Sequence, residues 1–79
     1  MKRSKLEVCV AICEAVKLEG PLKPEKIRSI LRLDRCTLNQ CLDLLVTQKM
    51  IERTTCKTGE ICTITERGSS VLKFFGKIH

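Results

Sequence analysis

The sequence predicts an α+β fold, mainly helical, in one domain over 1–79. Three observations carry this. Two short helical stretches with matching start signals stand about three residues apart. Two segments rich in β-branched residues flank a glycine-containing turn. A new helix then opens directly at Thr65-Glu66-Arg67-Gly68. The predicted order is helix, helix, helix, two-stranded hairpin, helix.

The first helix is expected over 4–19. Ser4-Lys5-Leu6-Glu7 forms a capping box, in which the Ser4 hydroxyl accepts from the Glu7 N–H and the Glu7 carboxylate reaches back to the Ser4 N–H. Leu6, Cys9, Cys13 and Val16 repeat at three and four, with Val10 and Ile12 widening the stripe. Gly20 and Pro21 end it. The second helix, over 24–31, starts at Pro24, whose missing N–H has no partner to lose at that position. Leu22 and Ile27 are spaced as a hydrophobic staple, and Ile27, Ile30 and Leu31 are its expected buried face.

Asp34 is placed to cap the third helix, over 35–48, and its charge suits the positive helix end. Leu33 and Leu38 repeat the staple. Leu38, Cys41, Leu42 and Leu45 lie on one side, with Val46 at the margin. Arg35, Thr37, Asn39, Gln40 and Asp43 fall largely elsewhere, concentrated in the first half. The hairpin occupies 51–64, with strands Ile51 to Cys56 and Ile61 to Ile64 and the turn Lys57-Thr58-Gly59-Glu60. Thr65 caps the last helix, over 66–78. Its apolar stripe is Val71, Leu72, Phe75 and Ile78, with Phe74 to one side.

Formal net charge is +6, from 15 Lys and Arg against 9 Asp and Glu, which suits a polyanionic partner. Basic residues gather at Lys2, Arg3 and Lys5, at Lys23, Lys26, Arg28, Arg32 and Arg35, and at Lys73 and Lys77. No run approaches the roughly 20 apolar residues of a membrane span. The basic start is soon interrupted by Glu7 and Glu14, unlike a signal peptide. A cytoplasmic, nucleoid-associated protein is expected.

The six cysteines are Cys9, Cys13, Cys36, Cys41, Cys56 and Cys62. None shows the close two-residue spacing typical of structural zinc. Cys9, Cys13 and Cys41 read as small core residues, while Cys36 and Cys56 read as exposed. No metal and no cofactor is expected. The lone His79 is terminal, no glycine-rich phosphate loop occurs, and no carboxylates cluster at a useful spacing. The expectation is therefore a protein that is not an enzyme.

The order of these pieces resembles the winged helix-turn-helix transcriptional regulators, and most of all the small archaeal winged-helix DNA-binding proteins. The matching text is Leu38, Leu42 and Leu45, then Lys49-Met50-Ile51-Glu52, then Cys62-Thr63-Ile64-Thr65-Glu66-Arg67-Gly68. The resemblance as a whole covers nearly the whole chain. Lys49 stands where the family usually has glycine, which asks a lysine to take positive φ. Cys62 stands where a tyrosine is common. The last helix is shorter than the long coiled-coil arms by which some relatives pair.

The resemblance implies double-stranded DNA as partner, with the third helix in the major groove. Asn39 and Gln40 can offer amides to adenine, Arg35 can reach guanine or phosphate, and Thr37 can touch a thymine methyl or phosphate. Cys36 lies among them. Lys26, Arg28 and Arg32 are candidate phosphate contacts, as are Arg53 and Lys57 on the wing, while Glu60 opposes deep insertion. A homodimer through Val71, Leu72, Phe74, Phe75 and Ile78 is expected, because so small a domain buries only about 60% of its unfolded surface. No small-molecule substrate is implied. A protein-interaction module and a thiol- or metal-gated DNA binder remain open as other readings.

Overall fold

The computed structural model describes residues 4–78, with side chains as far as residue 74. The expectations for Lys2, Arg3 and His79, and for the side chains of Phe75, Lys77 and Ile78, lie outside the described residues. The elements run α1 (Lys5–Glu19), α2 (Pro24–Leu31), α3 (Arg35–Thr47), β1 (Ile51–Cys56), β2 (Gly59–Ile64) and α4 (Glu66–Ile78).

Local signals set most boundaries. The Ser4 hydroxyl accepts from the Glu7 N–H at 3.2 Å and caps α1. The Glu7 carboxylate accepts from the Ser4 hydroxyl at 3.2 Å. Pro24 opens α2 as the sequence predicts. Among the described residues, two that are not glycine take the left-handed conformation, Arg32 at φ 54° and Lys49 at φ 60°. Each closes a helix. After α3, Met50 N–H reaches the Leu45 carbonyl at 2.9 Å and Lys49 N–H reaches that of Val46 at 3.0 Å. Those are the two bonds of a Schellman ending, usually closed by glycine. α3 thus stops at Thr47, one residue earlier than expected, with Gln48 as its cap.

The core joins Val8, Cys9, Ile12, Cys13 and Val16 of α1 to Ile27, Leu38, Cys41, Leu42 and Leu45 of the next two helices. Leu22, Ile51, Cys62 and Leu72 complete it. Three stripe residues depart from expectation. Leu6 is 60% exposed, at the rim of a shallow apolar groove shared with Val10, Met50 and Val71. Ile30 is exposed because three helical steps from Ile27 fall about 60° short of a full turn, while Leu31 overshoots by only about 40°. Val46 is exposed, one step of about 100° round from Leu45.

The hairpin is antiparallel, in register from Ile51 opposite Ile64 to Cys56 opposite Gly59. Its turn is therefore only Lys57-Thr58, shorter than the four residues expected. Neither has positive φ. Gly59, at φ 118°, supplies the backbone twist that lets the strands close. Beyond the expected pair, Leu22 bridges β2 on its other edge. Leu22 N–H donates to the Cys62 carbonyl at 3.0 Å, and Cys62 N–H to that of Leu22 at 2.7 Å. A single bridging residue leaves no alternating pattern to read in a sequence.

The T-E-R-G segment locks α4 to the corner after α3. Thr65 Oγ1 accepts from the Gly68 N–H at 3.1 Å and donates to the Lys49 carbonyl at 2.6 Å. Thr65 N–H donates to the Met50 carbonyl at 3.0 Å. Gly68 then packs directly on that carbonyl oxygen, leaving no room for a Cβ.

Candidate nucleic-acid interface

The helix-turn-helix is α2, the turn 32–34 and α3. Its turn is fixed at both ends, by left-handed Arg32 and by Asp34. The Asp34 carboxylate accepts from the Thr37 N–H at 3.0 Å and from the Thr37 hydroxyl at 2.5 Å. These two bonds hold its carboxyl below the ordinary value of 3.8. A depressed folded value gives stability that is full above the unfolded value and lost as pH falls through the folded one. The melting temperature of the wild type relative to Asp34→Asn should therefore be constant from about pH 7 to 5 and should shrink below about pH 4. A difference that stays flat into strong acid would contradict this.

The exposed side of α3 presents Arg35, Cys36, Asn39, Gln40 and Asp43. Thr37 is half-buried and its hydroxyl proton is committed to Asp34, so its methyl group is what remains to offer. Gln40 lies one turn beyond Cys36, and its Nε2 donates to Sγ at 3.6 Å. Arg28 of α2, Arg35 and Asn39 line one open cleft with Pro24, Glu25 and Leu38. The turn places a cation from each helix beside an amide that can read a base edge. Arg32 is exposed at the end of α2. Lys26 is exposed too, but two residues before Arg28 it lies about 200° round the helix, on another face.

On the wing, Lys57 is exposed in the turn. Arg53 is placed differently from the exposed contact that its sequence position suggests. Its side chain is only 27% exposed, and its Nε donates to Glu60 Oε1 at 2.7 Å. Its Nη2 also reaches that oxygen, and Nη1 lies 3.4 Å from Asp43 Oδ1. The sequence shows Glu60 only as a charge that opposes deep insertion and Asp43 only as a polar residue of α3, not their shared partner. The signal was the alternation of the strands, which puts Arg53 on the same face as buried Ile51.

Leu72, expected at a dimer interface, is instead 9% exposed and packed in the core. It shares a face with α1, which takes up its side chain within the monomer. Val71 is half-buried and Phe74 is 66% exposed.

The thiols divide by burial. Cys9, Cys13, Cys41 and Cys62 are buried, and Cys36 and Cys56 are exposed. Burial, and then the neighbouring Cys41, pushes the Cys9 thiol up to about 12. Burial pushes Cys13 up to about 11 and raises Cys62 as well. Because the thiolate is the reactive form, an aromatic disulfide reagent should label two thiols quickly in the folded protein and four only on unfolding. A third fast thiol would place one of the buried four wrongly. Among the described residues, no three Cys, His, Asp or Glu side chains are grouped to hold a metal ion.

No family model and no curated protein matches the chain. Solved structures do. A winged-helix DNA-binding protein from STIV superposes with a TM-score of 0.83 at 19% identity, over 98% of this chain and 90% of that one. ZitR of Lactococcus lactis, a mutant in apo form, gives 0.81 at 19% identity, over 95% and 58%. A mutant MarR from E. coli, complexed with operator DNA, gives 0.77 at 19% identity, over 82% and 49%. The chain thus spans about half the length of MarR. At such identities the likeness is one of fold, and the fold is that of a winged helix-turn-helix domain.

Proposed function

We propose that this domain binds double-stranded DNA, as a transcriptional regulator or chromatin-associated protein, and that it is not an enzyme. The first half of α3 enters the major groove. Asn39 and Gln40 meet base edges, Arg35 meets guanine or phosphate, and Cys36 and the Thr37 methyl pack beside them. Arg28, Arg32 and Lys57 supply backbone contacts, and Lys26, on another face of α2, does not join them. The cleft that brings Arg28, Arg35 and Asn39 together carries this reading. The MarR and STIV proteins, described as operator-bound and DNA-binding, support it by fold. The place of work is then the cytoplasm, at the nucleoid. No helix among the described residues is long and apolar enough to cross a membrane.

We propose further that the domain works as a homodimer. Leu6 and Phe74 are exposed, with Val10 and Val71 along the apolar groove beside Leu6. A second copy covering this face would leave the polar side of α3 open. Sedimentation showing only monomer at high concentration would end that part.

The direct test is fluorescence anisotropy with a mixed-sequence duplex of about 30 base pairs, across a salt series. Log affinity should fall linearly with log salt, by about 0.9 for each phosphate neutralised. Absence of binding even at low salt would leave the positive charge as a solubility device. The exposed apolar face would then favour an interaction module.

A further inference from the structure

We infer that Arg53 is a positioning residue: it clamps the wing to α3 by bridging Asp43 and Glu60, and it does not itself contact DNA. The consequence for DNA rests on the reading above; the clamp itself does not.

The geometry begins with strand register. Ile51 faces Ile64, Arg53 faces Cys62 and Thr55 faces Glu60. These alternate residues share one face of the hairpin. Ile51 and Cys62 on that face are fully buried, so it is the face turned inward. Arg53 is the next inward residue along β1, where the core gives out. Glu60 is its diagonal neighbour on β2, within reach of a long side chain. Two of the guanidinium nitrogens converge on one oxygen of Glu60. The third turns to Asp43, on the third turn of α3. One planar fork thus joins both strands of the wing to the helix that bears Asn39 and Gln40.

No other cation fits the place. Lysine carries a point charge on a flexible stem and cannot hold two directions at once as a planar fork does. Asp43 is 77% exposed, so its link is the loose end of the clamp, and Glu60 is the firm one. Charge makes a contrary prediction to geometry here. Glu60 and Asp43 are anions beside a surface that meets phosphates. If charge alone mattered, removing Glu60 would tighten DNA binding. If Arg53 were a phosphate contact, removing Glu60 would free it and again tighten binding. A clamp predicts the opposite sign.

The experiment uses Glu60→Ala, Arg53→Ala and Arg53→Lys in the full chain, each first checked for an unchanged helical signal. Amide hydrogen exchange is measured on the free protein, and duplex affinity across a salt series. The clamp predicts exchange about tenfold faster or more in the outer hairpin, residues 54–61, with helix amides unchanged. It predicts affinity several-fold weaker for all three variants, with the slope against log salt kept. Arg53→Lys should fail as badly as Arg53→Ala. The proposal is overturned if hairpin exchange is unchanged and Glu60→Ala binds as tightly as wild type or tighter. It is also overturned if Arg53→Ala lowers the slope by about 0.9 while Arg53→Lys restores it, since a phosphate contact does that. If wild type binds no duplex, the DNA reading fails by itself, and hairpin exchange alone decides the clamp.

Discussion

Gly68→Ala should be the most damaging small substitution in this chain, lowering the melting temperature by roughly 10–20 °C. By helix propensity alone the change should help, because alanine is favoured over glycine by about 1 kcal/mol inside a helix. Packing reverses the sign. A Cβ at residue 68 collides with the Met50 carbonyl oxygen and comes within 2.9 Å of Ile64 Cγ1. That oxygen is backbone, and it already accepts from the Thr65 N–H. It cannot move without breaking the corner between α3 and β1. Overpacking of this kind costs about 2–3 kcal/mol. Ser70→Ala, two residues on and exposed, should stay within about 0.5 kcal/mol. Thermal melting of the two variants checks the contrast. A Gly68→Ala protein as stable as wild type would mean that α4 does not sit on the corner.

Asn39→Ala with Gln40→Ala should remove most sequence preference while leaving non-specific affinity nearly intact. A good bidentate amide–adenine pair is worth about 1–3 kcal/mol of discrimination. Two such losses should collapse a selected operator's advantage over mixed duplex by at least about tenfold. The salt slope should not change, because neither residue is charged. Arg35→Ala should act in the other sense, weakening all duplexes and lowering the slope if it meets phosphate. Competition of operator against mixed duplex separates these outcomes. Retained preference in the double variant would take α3 out of the reading role.

What the sequence made legible was mostly local. Ser4, Asp34 and Thr65 each bond the N–H three residues on, within a single turn. Such caps are written in four consecutive residues. The left-handed Lys49 was legible only through the resemblance, because it stands where the family usually has glycine. What failed was tertiary. Leu6 and Leu72 carry the same apolar stripe signal, yet one is exposed and the other buried, a difference that depends on what each helix packs against. Arg53 stands 7 residues from Glu60 and 10 from Asp43, on three different elements, and each alone reads as a surface charge. The cleft of Arg28, Arg35 and Asn39 was half legible: each residue was a candidate, but the rotation of about 200° round α2 brings Arg28 and not Lys26 to it.

The Leu22–Cys62 bridge bears on how such a domain can diversify. It binds the base of the wing to the connection between α1 and α2, so the hairpin is not an appendage that can be exchanged whole. A transplanted wing would have to restore a backbone donor and acceptor opposite Leu22, and a residue as small as Cys62 beneath them. The outermost residues, 54–59, carry no such debt to the body. Variation in target choice can therefore accumulate at the tip and on the open side of α3, while the base stays fixed by pairing that no single substitution can supply.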